Sequence, residues 1–331
     1  MTVLLTCAGS RVDIVRAFQT AFVDGPNTVR VLISDAGEAS PTRFAADGVV
    51  ELPLVDDPSY HDAVIAVCRR ERVRGILPLT DLDPVVLATA APSLAAIGTS
   101  VFLPDPQVAL GCQDKWECHQ MLLAAGLPSP PTWLAGSVDL ADLPYPMLLK
   151  PRLGFAARHI YRAANADELA FFERYSPLES VYQQALDGTE FSTDCLGDLH
   201  GRALGAVPRS MMQAKGGEQV KGESLDDPQL VDLAVRTVET LGLRGPSCIQ
   251  CFRKDGAIQG ITDINTRFGG AFPLPLAAGG GYPELIVRMA AGENPASRVG
   301  THRAGVVMTR YLAETILLRT PDGLRAVPDN G

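Results

Sequence analysis

The chain has 331 residues, 46% hydrophobic and 20% charged, enough for two or three lobes with cores of their own; this excludes a small stapled domain and a disordered chain. A net charge of -9 and a sequence pI near 5.1 argue against nucleic acid as a partner, because such binders usually carry a basic patch, and leave small molecules. Cys7, Cys68, Cys112, Cys118, Cys195, Cys248 and Cys251 are odd in number and lack paired CxxC spacing; with no signal-like segment ahead of them they read as reduced thiols of a cytoplasmic protein.

From Val3 an apolar strand leads into the turn Cys7-Ala-Gly-Ser-Arg11 and then a helical pattern carrying Ile14, Val15, Ala17, Phe18 and Phe22. Strands are expected at 29–33, 49–53, 74–79 and 101–103, with helices around 61–69 and 85–95. This alternation predicts a doubly wound, mostly parallel sheet. Pro104 and Pro106 break it, so a first boundary is placed near residue 110. A helix over 113–126 ending at Gly126, an extended connector at 128–131 and a buried strand at 145–150 form a second unit, 111–180. The third, 181–331, carries strands at 181–185, 190–196, 203–207, 247–252 and 257–264, and a helix over 228–241. Residues 305–318 read as a last apolar strand and 321–331 as loose chain. No apolar run approaches the roughly 20 residues of a membrane span.

The chemistry concentrates in Asp263-Ile-Asn-Thr-Arg267. Side chains two apart on a strand leave the same face, so Asp263 and Asn265 offer two oxygen ligands together, with Arg267 and the glycine loop just beyond. Hard oxygen ligands with room for water and phosphate suit Mg²⁺. Gln250, on the preceding strand, supplies a third oxygen, and Lys150 ends an earlier one. Cys248 and Cys251 are three apart on a predicted strand and point to opposite faces, which argues against a zinc or redox site. His159 reads as a structural or solvated histidine and Lys215 as part of an exposed loop. For Arg209 and Lys221 an exposed loop and a phosphate or substrate contact are both open. With Gly9 but no full GxGxxG, dinucleotide binding by the first unit is a weak reading.

Taken in order, these segments resemble the carbamoyl-phosphate-synthase-like group of ATP-grasp carboxylate-amine ligases. Asp263-Ile-Asn-Thr-Arg267 is similar to the family's Glu-x-Asn-Pro-Arg segment, with Asp standing for Glu; Gln250 falls at its first metal position. Asp114-Lys-Trp116 resembles the opening of its first subdomain, and Tyr145-Pro-Met-Leu-Leu-Lys-Pro151 its Phe-Pro-x-x-x-Lys-Pro strand. Tyr182-Gln-Gln-Ala-Leu-Asp-Gly-Thr-Glu190 resembles the adenine hinge. The loop Arg152-Leu-Gly-Phe-Ala-Ala-Arg-His159 departs from the family's Gly/Ser-rich lid, keeping only Gly154.

The resemblance implies a Rossmann-like pre-ATP-grasp domain followed by a two-lobed α+β ATP-grasp fold. It implies ATP and Mg²⁺, with Mn²⁺ as the alternative ion, on the metal ligands Gln250, Asp263 and Asn265. Lys115, Lys150, Gln183, Gln184, Ala185, Leu186, Glu190, Arg209 and Lys221 would bind the nucleotide, and Arg267 and Lys150 would act in catalysis. The implied reaction activates a carboxylate, of an amino acid or small acid, as an acylphosphate with release of ADP and joins it to an amine, thiol or similar nucleophile. The partners are small-molecule acids and amines, without nucleic acid or membrane, and a homodimer is allowed. Two other function classes stay open: a nucleotide-binding module without turnover, and a dehydrogenase using the first unit. Retention of Lys115, Lys150, Glu190, Gln250, Asn265 and Arg267 argues against the first, and the missing glycine fingerprint against the second.

Overall fold

The computed structural model describes residues 1–21, 29–154, 158–215 and 218–327. Phe22, the lid-position residues 155–157, residues 216–217 and the tail 328–331 lie outside that set. The first unit is built as β1 (Thr2–Thr6), α1 (Val12–Gln19), β2 (Arg30–Ile33), β3 (Gly48–Val49), α2 (Tyr60–Glu71), β4 (Val73–Pro78), α3 (Pro84–Ala96) and β5 (Ser100–Val101). Its five strands are all parallel in the order β3-β2-β1-β4-β5, as the alternation predicts. The central strands β1 and β4 are buried on both faces, which is why they read as unbroken apolar runs. The third strand covers only residues 48–49, not 49–53, because Pro53 has no N–H to give a ladder.

Two helices connect the units: α4 (Pro106–Gln113) and α5 (Lys115–Ala124). Helix α4 forms where Pro104 and Pro106 predict a break, because Pro106 stands in the first turn of the helix, where a missing N–H costs nothing. The boundary expected at 110 therefore falls inside a helix. Asp114 caps α5, its side chain accepting from the N–H groups of Trp116 and Glu117.

A small lobe follows, with β6 (Thr132–Leu134), β7 (Met147–Pro151), β8 (Tyr161–Ala163), α6 (Ala166–Tyr175) and β9 (Ser180–Gln184). Its sheet runs β6-β9-β7-β8, so β9 lies inside the small lobe and the hand-over comes after Gln184 rather than at 181.

The large lobe holds β10 (Thr189–Gly197), β11 (Ala203–Lys215), β12 (Glu218–Ser224), α7 (Pro228–Leu241), β13 (Gly245–Lys254), β14 (Ala257–Asn265), α8 (Pro273–Ala277), α9 (Tyr282–Ala290) and β15 (Val307–Thr309). Its six-stranded sheet is antiparallel in the order β14-β13-β10-β11-β12-β15. Of the strand expected over 305–318, only residues 307–309 and 317–318 are strand, and α8 follows the glycine loop. Beyond it β16 (Leu317–Thr320) and β17 (Gly323–Ala326) pair as a hairpin; only β17 lies where loose chain was expected.

Strand alternation explains what the large sheet does. Phe191, Cys195, Ile249, Cys251 and Ile264 turn to one face and pack on Leu230, Leu233, Ala234 and Val238 of α7. The alternate residues Glu190, Ser192, Asp194, Cys248, Gln250, Asp263 and Asn265 therefore share the opposite face, and cross-strand register sets Gln250 beside Ser192 and Asp263, and Cys248 beside Asn265. Far from the hinge, that face closes against the first unit: Leu196, Leu204, Phe268, Phe272 and Tyr282 share one buried cluster with Val3, Phe18 and Leu77. Phe18 meets Phe268 edge-on at 6.1 Å, and Phe272 lies 4.4 Å from Phe268. Each such side chain contributes about 1.5–3 kcal/mol by burial, so the two units hold together as one body and fix the chain directly after Arg267.

Candidate functional site

Lys150 ends β7 with 8% exposure, and its Nζ donates to Gln183 Oε1 at 2.7 Å. Burial pushes this ammonium down to about 8, Lys115 acting in the same direction while Asp263 and Glu190 pull upward. Lys150 of the small lobe thus feels the charges of Asp263 and Glu190 in the large one. Lys115 approaches from the start of α5: its N–H binds Arg152 O at 2.9 Å and its Nζ donates to Gly154 O at 3.2 Å. Arg152 clamps the same turn, with Nη2 on Asp114 Oδ2 at 2.6 Å. The loop after Lys150 is thus anchored at its root to α5.

On β10, Glu190 accepts from Gln250 Nε2 at 3.2 Å. Burial raises its carboxyl above the ordinary range, against the pull of Lys150. Asn265 Nδ2 donates to Asp263 Oδ2 at 3.0 Å, and Arg267 Nη2 donates to Asn265 Oδ1 at 2.9 Å and to Asp81 Oδ2 at 2.7 Å. Gln250, Asp263 and Asn265 therefore gather on one face, as the spacing predicts. One carboxylate and two amide oxygens, with Glu190 alongside, form a hard, sparse donor set that fits Mg²⁺ completing its shell with water and phosphate. Among the described residues, no cluster of three or more His, Cys, Asp or Glu could hold a metal; a softer ion has no thiol or imidazole set to prefer.

Other expected residues stand differently. In the hinge, the N–H of Gln184 is bound to Pro131 O at 2.9 Å and that of Ala185 to Pro146 O at 3.0 Å, so those two donors are spent on the lobe itself. The Gln183 side chain is spent on Lys150 and, through Nε2, on Thr132 Oγ1 at 3.2 Å. Arg209 is on neither a loop nor the cleft surface. It is 3% exposed on β11, its Nε on Asp194 Oδ2 at 2.6 Å and its Nη2 on Cys248 Sγ at 3.5 Å. This pair lies under the glycine loop: a Cβ at Gly269 would come within 2.3 Å of Asp194 Oδ1 and 3.3 Å of Arg209 Nη2. So placed, Arg209 serves as a strut under that loop. The surrounding segment, expected as a loop, is the β11–β12 hairpin; Lys221 is exposed there opposite Gln213 and Thr309, and Lys215 stands at the exposed end of β11. His159 is exposed, with φ +57. Cys7 is mostly buried, and burial, followed by Asp83, pushes its thiol up to about 12.

Three participants had escaped sequence reasoning: Asp81 as partner of Arg267, Asp194 as partner of Arg209, and Arg152 on Asp114. Asp81 and Arg267 are 186 positions apart, and no local pattern links them.

Comparison with known proteins matches the two halves separately. Residues 3–102 match the family model described as "PylC-like, N-terminal domain", and residues 178–313 the one described as "ATP-grasp in the biosynthetic pathway with Ter operon". The uncharacterized protein y4rH of Sinorhizobium fredii is 28% identical over 189 residues, 50% of this chain but only 38% of that relative, so the chain spans well under two thirds of its length. Among solved structures, N5-carboxyaminoimidazole synthetase from Staphylococcus aureus with ADP superposes with TM-score 0.73 at 15% identity, covering 94% of this chain and 82% of that one. The biotin carboxylase domain of Hydrogenobacter thermophilus 2-oxoglutarate carboxylase, holding MgADP and bicarbonate, gives 0.73 at 16%, covering 92% and 73%. L-amino acid ligase from Bacillus licheniformis gives 0.67 at 19%, covering 87% and 73%. The two matched segments give this chain a PylC-like N-terminal domain ahead of an ATP-grasp domain, in an architecture shared with these enzymes.

Proposed function

We propose that this protein is an ADP-forming carboxylate-amine ligase. The observation that carries the reading is the convergence of Lys150 from one lobe with Glu190, Gln250, Asp263, Asn265 and Arg267 from the other. Cations and oxygen ligands meet there as a phosphoryl donor requires, since phosphoryl transfer asks for positioning and charge neutralisation more than covalent help.

ATP lies in the cleft between the lobes, its adenine edge against backbone groups of residues 184–186 that the small sheet leaves over. Glu190 accepts from the ribose hydroxyls, and Lys115 and Lys150 hold the phosphates. Gln250, Asp263 and Asn265 would hold Mg²⁺, which when bound would neutralise charge on the phosphate oxygens. Arg267, beside Asn265, faces the transferred group and then the carbonyl oxygen of the acylphosphate, where a guanidinium strengthens its hold as negative charge develops. The likeness to an L-amino acid ligase supports an amino acid as one substrate.

The test is Mg²⁺-dependent ADP release when the protein meets ATP and a panel of amino acids and small carboxylates. Lys150→Ala and Asn265→Ala should each lower it by about 100-fold or more. Release of AMP in place of ADP, or ATP binding without turnover on any acid, would rule the reading out.

A further inference from the structure

Arg267 arrives at the site already tethered, its Nη2 shared between Asn265 Oδ1 and Asp81 Oδ2. Asp81 comes from the other unit, just past the end of β4. In that parallel sheet β1 lies between β2 and β4, and the chain reverses its direction of winding between β1 and β4. The crevice outside the carboxyl ends of the strands at such a point is where open α/β sheets take ligands. The first unit therefore turns its own ligand crevice toward Arg267.

Several carboxyl groups follow the strands at that end of the sheet; Glu38 and Glu51 are held by Arg319 and Arg43. Asp13 gives both oxygens to Arg11 at 3.1 Å. Asp35 accepts from Gly9 N at 2.6 Å through Oδ2 and from Gly37 N at 2.9 Å through Oδ1. Asp83 accepts from Tyr60 Oη at 2.7 Å through Oδ2 and has no partner on Oδ1, but it is fully buried, and burial raises its carboxyl above the ordinary range. Asp81 combines an open oxygen with access: Oδ2 holds Arg267, the side chain is 22% exposed, and among the described residues Oδ1 takes no hydrogen bond. A carboxylate oxygen left open beside the reacting centre favours a cation.

We propose that Asp81 is the acceptor subsite, binding the ammonium of the incoming amine through Oδ1 while Oδ2 keeps Arg267 in place. The proposal rests on the ligase reading above and narrows its nucleophile to an amine that is cationic at neutral pH. The open oxygen would repel a thiolate. Amide formation then runs as follows. The ammonium passes one proton to Asp81 and becomes a nucleophilic amine. Its nitrogen attacks the acylphosphate carbonyl carbon, the C–N bond forms and the C–O bond to phosphate breaks. The second proton leaves with the phosphate, and Asp81 returns its proton to solvent. Holding the amine on the carboxylate that also holds the guanidinium gripping the carbonyl oxygen brings the two reactants together.

The experiment compares two nucleophiles on the same enzyme, with ATP, Mg²⁺ and each common L-amino acid as the acid. In one arm the amino acids also serve as amines; in the other, hydroxylamine, uncharged at neutral pH, traps the acylphosphate as a hydroxamate. Asp81→Asn can still accept from Arg267 but holds no ammonium and takes no proton. It should lower amide formation by about 100-fold or more, and hydroxamate formation by less than about tenfold. Its amide activity should recover as pH rises and free amine becomes abundant. Asp81→Glu should restore part of the amide activity. Equal losses in the two arms would make Asp81 a tether for Arg267 alone and overturn the proposal, as would Asp81→Glu performing no better than Asp81→Asn. Wild-type protein that gives neither hydroxamate nor ADP with any acid would overturn the ligase reading itself, and this assignment with it.

Discussion

Lys150 is the residue on which the cleft's electrostatics turn. Buried at the end of β7, its ammonium is held down to about 8, first by desolvation. Below that pH it is charged and attracts phosphates; above it, ATP must bind a neutral amine or bring a proton with it. ATP affinity should therefore hold steady below about pH 8 and weaken above it, by at most about tenfold per pH unit. Calorimetry in two buffers of different ionisation heat should show proton uptake on the alkaline side. Lys150→Arg, which stays charged, should abolish both effects; a pH-independent affinity in the wild type would contradict the assignment. At this scale Lys150 was legible because an apolar strand closed by Pro151 leaves few reasons for a lysine. Asp81 was not, since an aspartate after a strand says nothing about an arginine far along the chain.

Among elements, the large sheet shows what period-two reading can and cannot supply. It put Gln250, Asp263 and Asn265 on one face, and the register agrees. It failed at Arg209, because Pro208 and the glycines at 216–217 suggested a loop where a long hairpin forms. Arg209 and Asp194 form an ion pair, their side chains 4% and 2% exposed, and the backbone of Gly269 rests on it. Asp194→Ala strands a buried guanidinium and should cost about 3–5 kcal/mol in denaturant unfolding, while Asp194→Ala with Arg209→Met should recover much of it. A loss below about 1 kcal/mol would mean that the pair does not support the loop. Helix ends were easier to read: Asp227 caps α7, and Gly242, at φ +64, ends it.

Across the whole molecule, the shared cluster around Phe18 and Phe268 and the pair Asp81–Arg267 join the PylC-like domain to the ATP-grasp domain at the chemistry. Arg11 adds donations to Phe268 O and Gly269 O at 3.4 and 3.1 Å. The order of domains was legible from alternation and motif sequence; the junctions were not, because α4 and β9 belong to neighbours that only packing identifies. Among the described residues, no helix is long and apolar enough to cross a membrane. The central claim is that a carboxylate becomes an acylphosphate at this junction. Amino acids labelled with heavy oxygen in the carboxylate, incubated with ATP, Mg²⁺ and an amine, test it directly by mass spectrometry. The account predicts ADP, an amide and one labelled oxygen in the released phosphate; label carried into AMP, or ADP formed with no label in the phosphate, would contradict it.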